Sequence, residues 1–216
     1  MLVRIICLLI GYIFGLFQTG YLYSKKHNFD IRSHGSGNAG ATNVLRTMGL
    51  KAGAVTFLGD AFKCIFAVLL VKWIFRNTQT DILPLLALYA GFGAVLGHNY
   101  PFYMNFKGGK GIAVTAGMIA STDWRITLIC LAIFAGVVLL TRYVSLGSLL
   151  ISIAFFLGVV FLGQAGAFGM AAKSQMEMNI VALLFVISAF IRHRANIGRL
   201  LNGTENKISF KKKEGK

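Results

Sequence analysis

Apolar residues in this chain occur in long unbroken runs, not at the spacing of a half-buried helix or strand. The runs lie near 2–23, 52–75, 82–97, 109–122, 126–142, 146–165 and 177–191, and short polar stretches rich in glycine and basic residues separate them. A stretch such as LLISIAFFLGVVFLG is apolar on every face, and a water-soluble domain of this size has no core able to hide several of them. The pattern predicts an all-α, polytopic integral membrane bundle of about seven transmembrane helices, forming one domain over 1–216. The last ten or so residues are expected to form a basic, flexible tail, roughly the length of chain that commonly frays at a terminus. Two runs leave alternatives open. That at 109–122 is short and interrupted by Gly117, and that at 82–97 carries Pro84, Gly91 and Gly93, so either can be tilted, re-entrant or half-spanning.

Composition supports the membrane assignment. Of 216 residues, 56% are hydrophobic and only two are proline, and the mean hydropathy is +0.69. The 25 glycines suit helices that pack closely through small faces. Arg4 near the start of the first run resembles the basic end of a signal peptide, but the run is long enough to cross a bilayer and no small-x-small cleavage pattern follows, so a retained span is expected. Cys7, Cys64 and Cys130 each sit inside an apolar run with no second Cys or His at ligand spacing, and read as buried thiols. No metal and no cofactor is expected.

Charge supplies an orientation. With seven crossings, sixteen of the 22 Lys and Arg fall in 24–51, 98–110, 142–145 and the tail from Arg192, all on one side. That side is expected to be cytoplasmic, with the N-terminus outside and the C-terminus cytoplasmic. Trp73 and Trp124 then lie at the outer interface. Topology and attraction to anionic lipid headgroups account for most of the net charge of +15, and no nucleic-acid partner is expected.

Three basic-side segments carry more than connection requires. In SHGSGNAGATNVLR, Gly35, Gly37 and Gly40 allow tightly turned backbone whose amides can converge on an anion; Ser36, Asn38, Thr42 and Asn43 add neutral donors, and Arg46 adds a planar cationic fork. In GHNYPFYMNFKGGKGIAV, Gly108, Gly109 and Lys110 lead straight into an apolar helix, a place where exposed amides and the helix dipole favour phosphate. The spacing is not that of a Walker A loop. His98 reads as simply hydrogen-bonded. In IRHRANIGRLLNGTENKI, His193 and Asn196, three apart, share a helix face if the last span continues through them, Arg192 and Arg194 read as headgroup contacts, and Glu205 is a candidate to orient a basic residue. Ser145 and Ser148 open another span, where they cap its helix or touch a ligand. Asp60 and Lys63, one turn apart in an apolar run, satisfy one another without a functional role. Together the loops imply a shared anionic ligand, a phosphate.

These segments, with LGDAFK and RYVSLGS, resemble the signature segments of the PlsY family of bacterial membrane acyl-phosphate:glycerol-3-phosphate acyltransferases, in order and over essentially the full length. The resemblance implies a seven-helix enzyme of the bacterial inner membrane with its motifs facing the cytoplasm. Its substrates would be glycerol 3-phosphate and a fatty acyl phosphate, with membrane lipids around it, and its products lysophosphatidic acid and inorganic phosphate. It further implies that Ser36, Arg46, Lys110, His193 and Asn196 form the catalytic pocket, with Ser148 beside them and Ser145 as its near competitor. An acyl phosphate is already activated, so holding two anions in attack geometry and neutralising the departing phosphate suffices. A substrate phosphate or His193 takes the hydroxyl proton. The main rival is an anion or phosphate-ester transporter, which would place polar groups near mid-membrane with access from both sides. None of the four histidines is followed by Asp at the His-x-x-x-x-Asp spacing of another acyltransferase plan.

Overall fold

The computed structural model describes residues 1–208; the basic tail expected at the C-terminus lies almost wholly outside the described residues. Ten α-helices follow in chain order: α1 Leu2–Gly15, α2 Thr19–Lys26, α3 Ala41–Met48, α4 Leu50–Phe75, α5 Leu83–Asn99, α6 Ile112–Thr122, α7 Trp124–Thr141, α8 Val144–Gln164, α9 Ala172–Arg192 and α10 Arg194–Leu201. No strand occurs among the described residues. In hydrocarbon every backbone polar group must find a partner within the chain, and a helix does so with its own carbonyls. Among the described residues, six segments are long and apolar enough to cross a membrane: Leu2–Lys26, Leu50–Phe75, Thr80–Met104, Trp124–Thr141, Val144–Gln164 and Ala172–Arg192.

The seventh, α6, has 11 residues and rises about 16 Å, half a hydrocarbon core. It nonetheless runs from the end of the bundle that carries Arg46 and Asn196 to the end that carries Lys72 and Leu83. It does so because Gly109–Gly111, counted in the sequence as the start of a span, belongs to a non-helical segment sunk into the bundle, and the helix begins only at Ile112.

The first run is also not one helix. It breaks at 16–18, and two side chains from elsewhere in the chain satisfy the freed carbonyls. Tyr103 Oη donates to Leu16 O and Lys63 Nζ to Phe17 O, both at 2.6 Å, while Gln18 Nε2, inside the break, donates to the α5 carbonyls of Gly97 and His98 at 3.4 and 3.0 Å. The Asp60–Lys63 pair therefore does more than neutralise itself; its lysine terminates α1.

Small residues let α1 and α5 touch backbone to backbone. A Cβ on Gly11 or Gly15 would collide with the carbonyls of Ala90 or Ala94, and one on Gly93 or Gly97 with those of Leu8 or Tyr12. The core beside this seam is made by Leu85, Leu88, Met118, Phe155, Val159 and Phe185, drawn from α5, α6, α8 and α9. The three cysteines are free and buried. Trp73 and Trp124 are exposed near the end that carries Lys72 and Asp123.

Candidate active site

The N-termini of α3, α6 and α8 open onto one cavity of about 130 Å³, where Ala41 and Thr42, Ile112 and Ala113, and Val144 and Ser145 form part of its wall. First-turn amides of a helix have no intrahelical acceptor, so three partial positive charges are aimed at one volume. Side chains from distant parts of the chain complete it. Ser36, Asn38, Thr42, Asn43, Arg46, Lys110, Ser145, Ser148, His193, Asn196 and Glu205 all line the cavity; Gly37, Gly108 and Gly109 do not.

A chain of hydrogen bonds orients the basic groups. Lys110 Nζ donates to Asn196 Oδ1 at 2.5 Å, Asn196 Nδ2 donates to Glu205 Oε1 at 2.8 Å, and Arg199 Nε donates to Glu205 Oε2 at 2.8 Å. The carboxylate accepts only, so Asn196 must turn its amide nitrogen to Glu205 and its oxygen to Lys110. Arg46 reaches across to the Asn206 carbonyl at 2.9 Å. Burial, together with Arg199, Arg192 and Arg46, pulls the Lys110 ammonium down to about 8, against the opposing pull of Glu205. His193 donates from Nδ1 to Ala189 O at 2.8 Å, which leaves Nε2 as its acceptor. Burial and the nearby Lys110 hold that ring down at about 4, so it is neutral at pH 7.

Several sequence readings change at the level of single atoms. The Gly108 and Gly109 amides are not free for an anion: they donate to Asn99 O and His98 O, both at 3.1 Å. Glycine is required there for space, since a Cβ on Gly109 would fall on the His98 ring and one on Gly108 on the His98 carbonyl. Arg192 does not reach out to headgroups but folds back, its guanidinium donating to the Gly108 and Gly109 carbonyls at 2.7 to 3.0 Å. The Gly37 amide is spent on His34 O. Asn43 is a scaffold: its Nδ2 donates to His34 O and Asn38 O, and its Oδ1 accepts from Ser36 N. Neither serine of α8 is a cap, because Tyr143 holds that position and no side chain caps the helix. Ser148 donates back to Val144 O at 2.8 Å, whereas Ser145 Oγ is buried and makes no hydrogen bond.

The cavity also takes in residues that the sequence reading left without a role. Arg199, Asn206, Asp60 and His98 all line it. His98 Nδ1 accepts from Lys63 Nζ at 2.9 Å. An acid and a lysine inside one apolar run are the signal that pointed there, because ionisable groups at that depth mark internal polar sites.

The chain is similar to known proteins along nearly its whole length. Residues 5–203 match the family model described as glycerol-3-phosphate acyltransferase. A protein of Clostridioides difficile (strain 630) named glycerol-3-phosphate acyltransferase is 45% identical over 213 residues, covering 96% of this chain and 97% of that protein. One of the same name from Thermoanaerobacter sp. (strain X514) is 41% identical over 205 residues, covering 94% of each. Among solved structures, the crystal structure of PlsY (YgiH), an integral membrane glycerol 3-phosphate acyltransferase, in its glycerol 3-phosphate form superposes with a TM-score of 0.81 at 32% identity, covering 95% of this chain and 96% of that one. Its lysophosphatidic acid form gives 0.79 at the same 32% identity, covering 95% of each chain.

Proposed function

Since the chain belongs to the glycerol-3-phosphate acyltransferase family, an enzyme family whose PlsY members are integral to the membrane, we propose that its acyl donor is a fatty acyl phosphate and that the reaction takes place at the cytoplasmic face of a bacterial inner membrane. The protein acylates glycerol 3-phosphate and yields lysophosphatidic acid, the molecules named in the two PlsY structures.

The observation that carries the donor assignment is a cavity rich in cations and helix N-termini without an activated nucleophile. Ser145 Oγ has no hydrogen-bonded base, and His193 is bonded only through Nδ1. A donor that arrives already activated, with a leaving group made of phosphoryl oxygens, matches that equipment. The glycerol 1-oxygen attacks the acyl carbonyl carbon, the bond from that carbon to the phosphate oxygen breaks, and inorganic phosphate departs with its charge neutralised by Lys110, Arg46 and helix amides. Phe57, 44% exposed on α4, and half-buried Phe134 on α7 line the same cavity, which favours a lipid chain entering sideways from the bilayer. The excess of Lys and Arg on the cavity side supports the cytoplasmic placement. Against a transport path, Val114 and Thr115 of α6 are buried between this cavity and the one at the opposite end.

Purified protein given labelled glycerol 3-phosphate should form lysophosphatidic acid with palmitoyl phosphate and not with acyl-CoA or acyl carrier protein donors. Equal rates with a thioester would overturn the donor assignment.

The hydroxyl proton goes to a substrate phosphate, whose second ionisation near 6, as for phosphate monoesters, leaves it a better acceptor than a histidine held at about 4. His193→Gln is therefore expected to keep its rate within about tenfold, whereas an essential histidine base contributes roughly a hundredfold or more. Single-turnover rates of the two proteins decide this.

The state of Lys110 sets a second dependence. Its charged form binds anions and predominates below about 8, so kcat/KM for glycerol 3-phosphate should decline as pH rises through that value. Lys110→Arg should move the declining limb to higher pH, since guanidinium stays charged. A limb that stays in place in this variant would assign the titration to another group.

A further inference from the structure

Asp60 takes no part in the chemistry above, yet it belongs to the same cavity. It lies on α4, 1% exposed, with one oxygen engaged and the other not. Oδ1 accepts from Lys63 Nζ at 2.8 Å and from Thr19 Oγ1 at 3.0 Å. Oδ2 is buried and makes no hydrogen bond among the described residues. Lys63 has nothing left to give it, because its three protons go to Asp60 Oδ1, Phe17 O and His98 Nδ1. An ion pair that served only to end α1 would have no reason to leave a carboxylate oxygen without a donor, since an unmet buried acceptor is costly.

The chemistry of that oxygen selects its partner. A carboxylate oxygen accepts and does not donate, and phosphate oxygens likewise accept, so Oδ2 repels the phosphate of either substrate. The acyl chain has no proton to offer. Glu205, the other carboxylate on the cavity wall, has both oxygens taken by Asn196 and Arg199. The donors left in the proposed reaction are the two hydroxyls of glycerol 3-phosphate.

We propose that Asp60 is the specificity residue for the acceptor, its Oδ2 accepting a hydrogen bond from the 2-hydroxyl of glycerol 3-phosphate. This rests on the cavity being the acceptor site and is independent of which acyl donor is used. The 2-hydroxyl is assigned because it keeps its proton throughout. The attacking 1-hydroxyl must release its proton, and a carboxylate tied through Oδ1 to Lys63 and Thr19 has no freedom to follow it. The phosphate end is thereby turned away from α4, toward the cationic wall.

The test is equilibrium binding without any donor. Dissociation constants are measured by calorimetry on detergent-solubilised protein for glycerol 3-phosphate and for 3-hydroxypropyl phosphate, which lacks only the 2-hydroxyl. The wild-type protein should bind glycerol 3-phosphate about tenfold or more tightly, as expected of a hydrogen bond to a charged group. Asp60→Asn keeps the Oδ1 acceptor but offers the hydroxyl only a neutral amide, so the preference should shrink to about threefold or less. Thr19→Val removes a partner of Oδ1 alone and should keep the preference. Equal wild-type affinities for the two phosphates overturn the proposal, even if Asp60→Asn fails to fold. So does an undiminished preference in folded Asp60→Asn, or one lost in Thr19→Val. No binding of either phosphate by wild type overturns the cavity assignment itself, which distinguishes that failure from the failure of Asp60.

Discussion

Lys110→Met is expected to lower kcat/KM for glycerol 3-phosphate by about a thousandfold, the upper end of what one preorganised charge contributes to a transition state. Lys110 stands immediately before α6, where its ammonium and the dipole of that helix address the same volume. Methionine matches the length of the stem and removes the charge. The loss also leaves Asn196 Oδ1 without the donor that now holds it at 2.5 Å. Steady-state kinetics read the effect, and a thermal unfolding midpoint close to wild type shows that packing is kept. A loss of less than tenfold in folded protein would remove Lys110 from the neutralisation of phosphate.

Glu205→Ala is expected to be the most damaging change for stability and nearly as damaging for activity. Glu205 is 7% exposed and joins α10 to the segment that follows it, through Asn196 on one oxygen and Arg199 on the other. Removing one partner of a buried ion pair costs about 3–5 kcal/mol, and partial exposure of Arg199 places this case toward the lower figure. The catalytic effect arises through Asn196. Without an acceptor-only neighbour its amide is free to turn its nitrogen toward Lys110, a contact between two donors, and a displaced ammonium should cost about a hundredfold in kcat/KM. A lowered unfolding midpoint accompanied by near-normal kinetics would confine Glu205 to stability. Glu205→Gln should fall between the two, since it keeps the bond from Asn196 and loses the one to Arg199.

Much of the architecture was legible because a bilayer imposes one rule on every apolar run, and the runs at 52–75, 126–142 and 146–165 became α4, α7 and α8 with ends shifted by a few residues. The readings that failed share a cause. The break at 16–18 depends on Lys63 and Tyr103 arriving from two distant places to satisfy the freed carbonyls of Phe17 and Leu16, and neither of those residues announces it. Gly108 and Gly109 have the composition of an anion nest, yet their amides face α5 carbonyls and Arg192 holds their own carbonyls. A glycine can mark an open amide or a close approach, and the sequence is the same in either case.

The chain's order of residues determined that this is a helical membrane protein, which loops share a side, and which polar segments hold cations, amides and hydroxyls, because hydropathy and charge are properties of the residues themselves. Tertiary structure alone decided which donors remain free. It aimed three helix N-termini at one cavity, spent Asn43 and the Gly37, Gly108 and Gly109 amides on scaffolding, and left Asp60 Oδ2, Ser145 Oγ and His193 Nε2 without partners among the described residues. A hydrogen bond is a relation between two groups, and here one of them nearly always comes from a different helix.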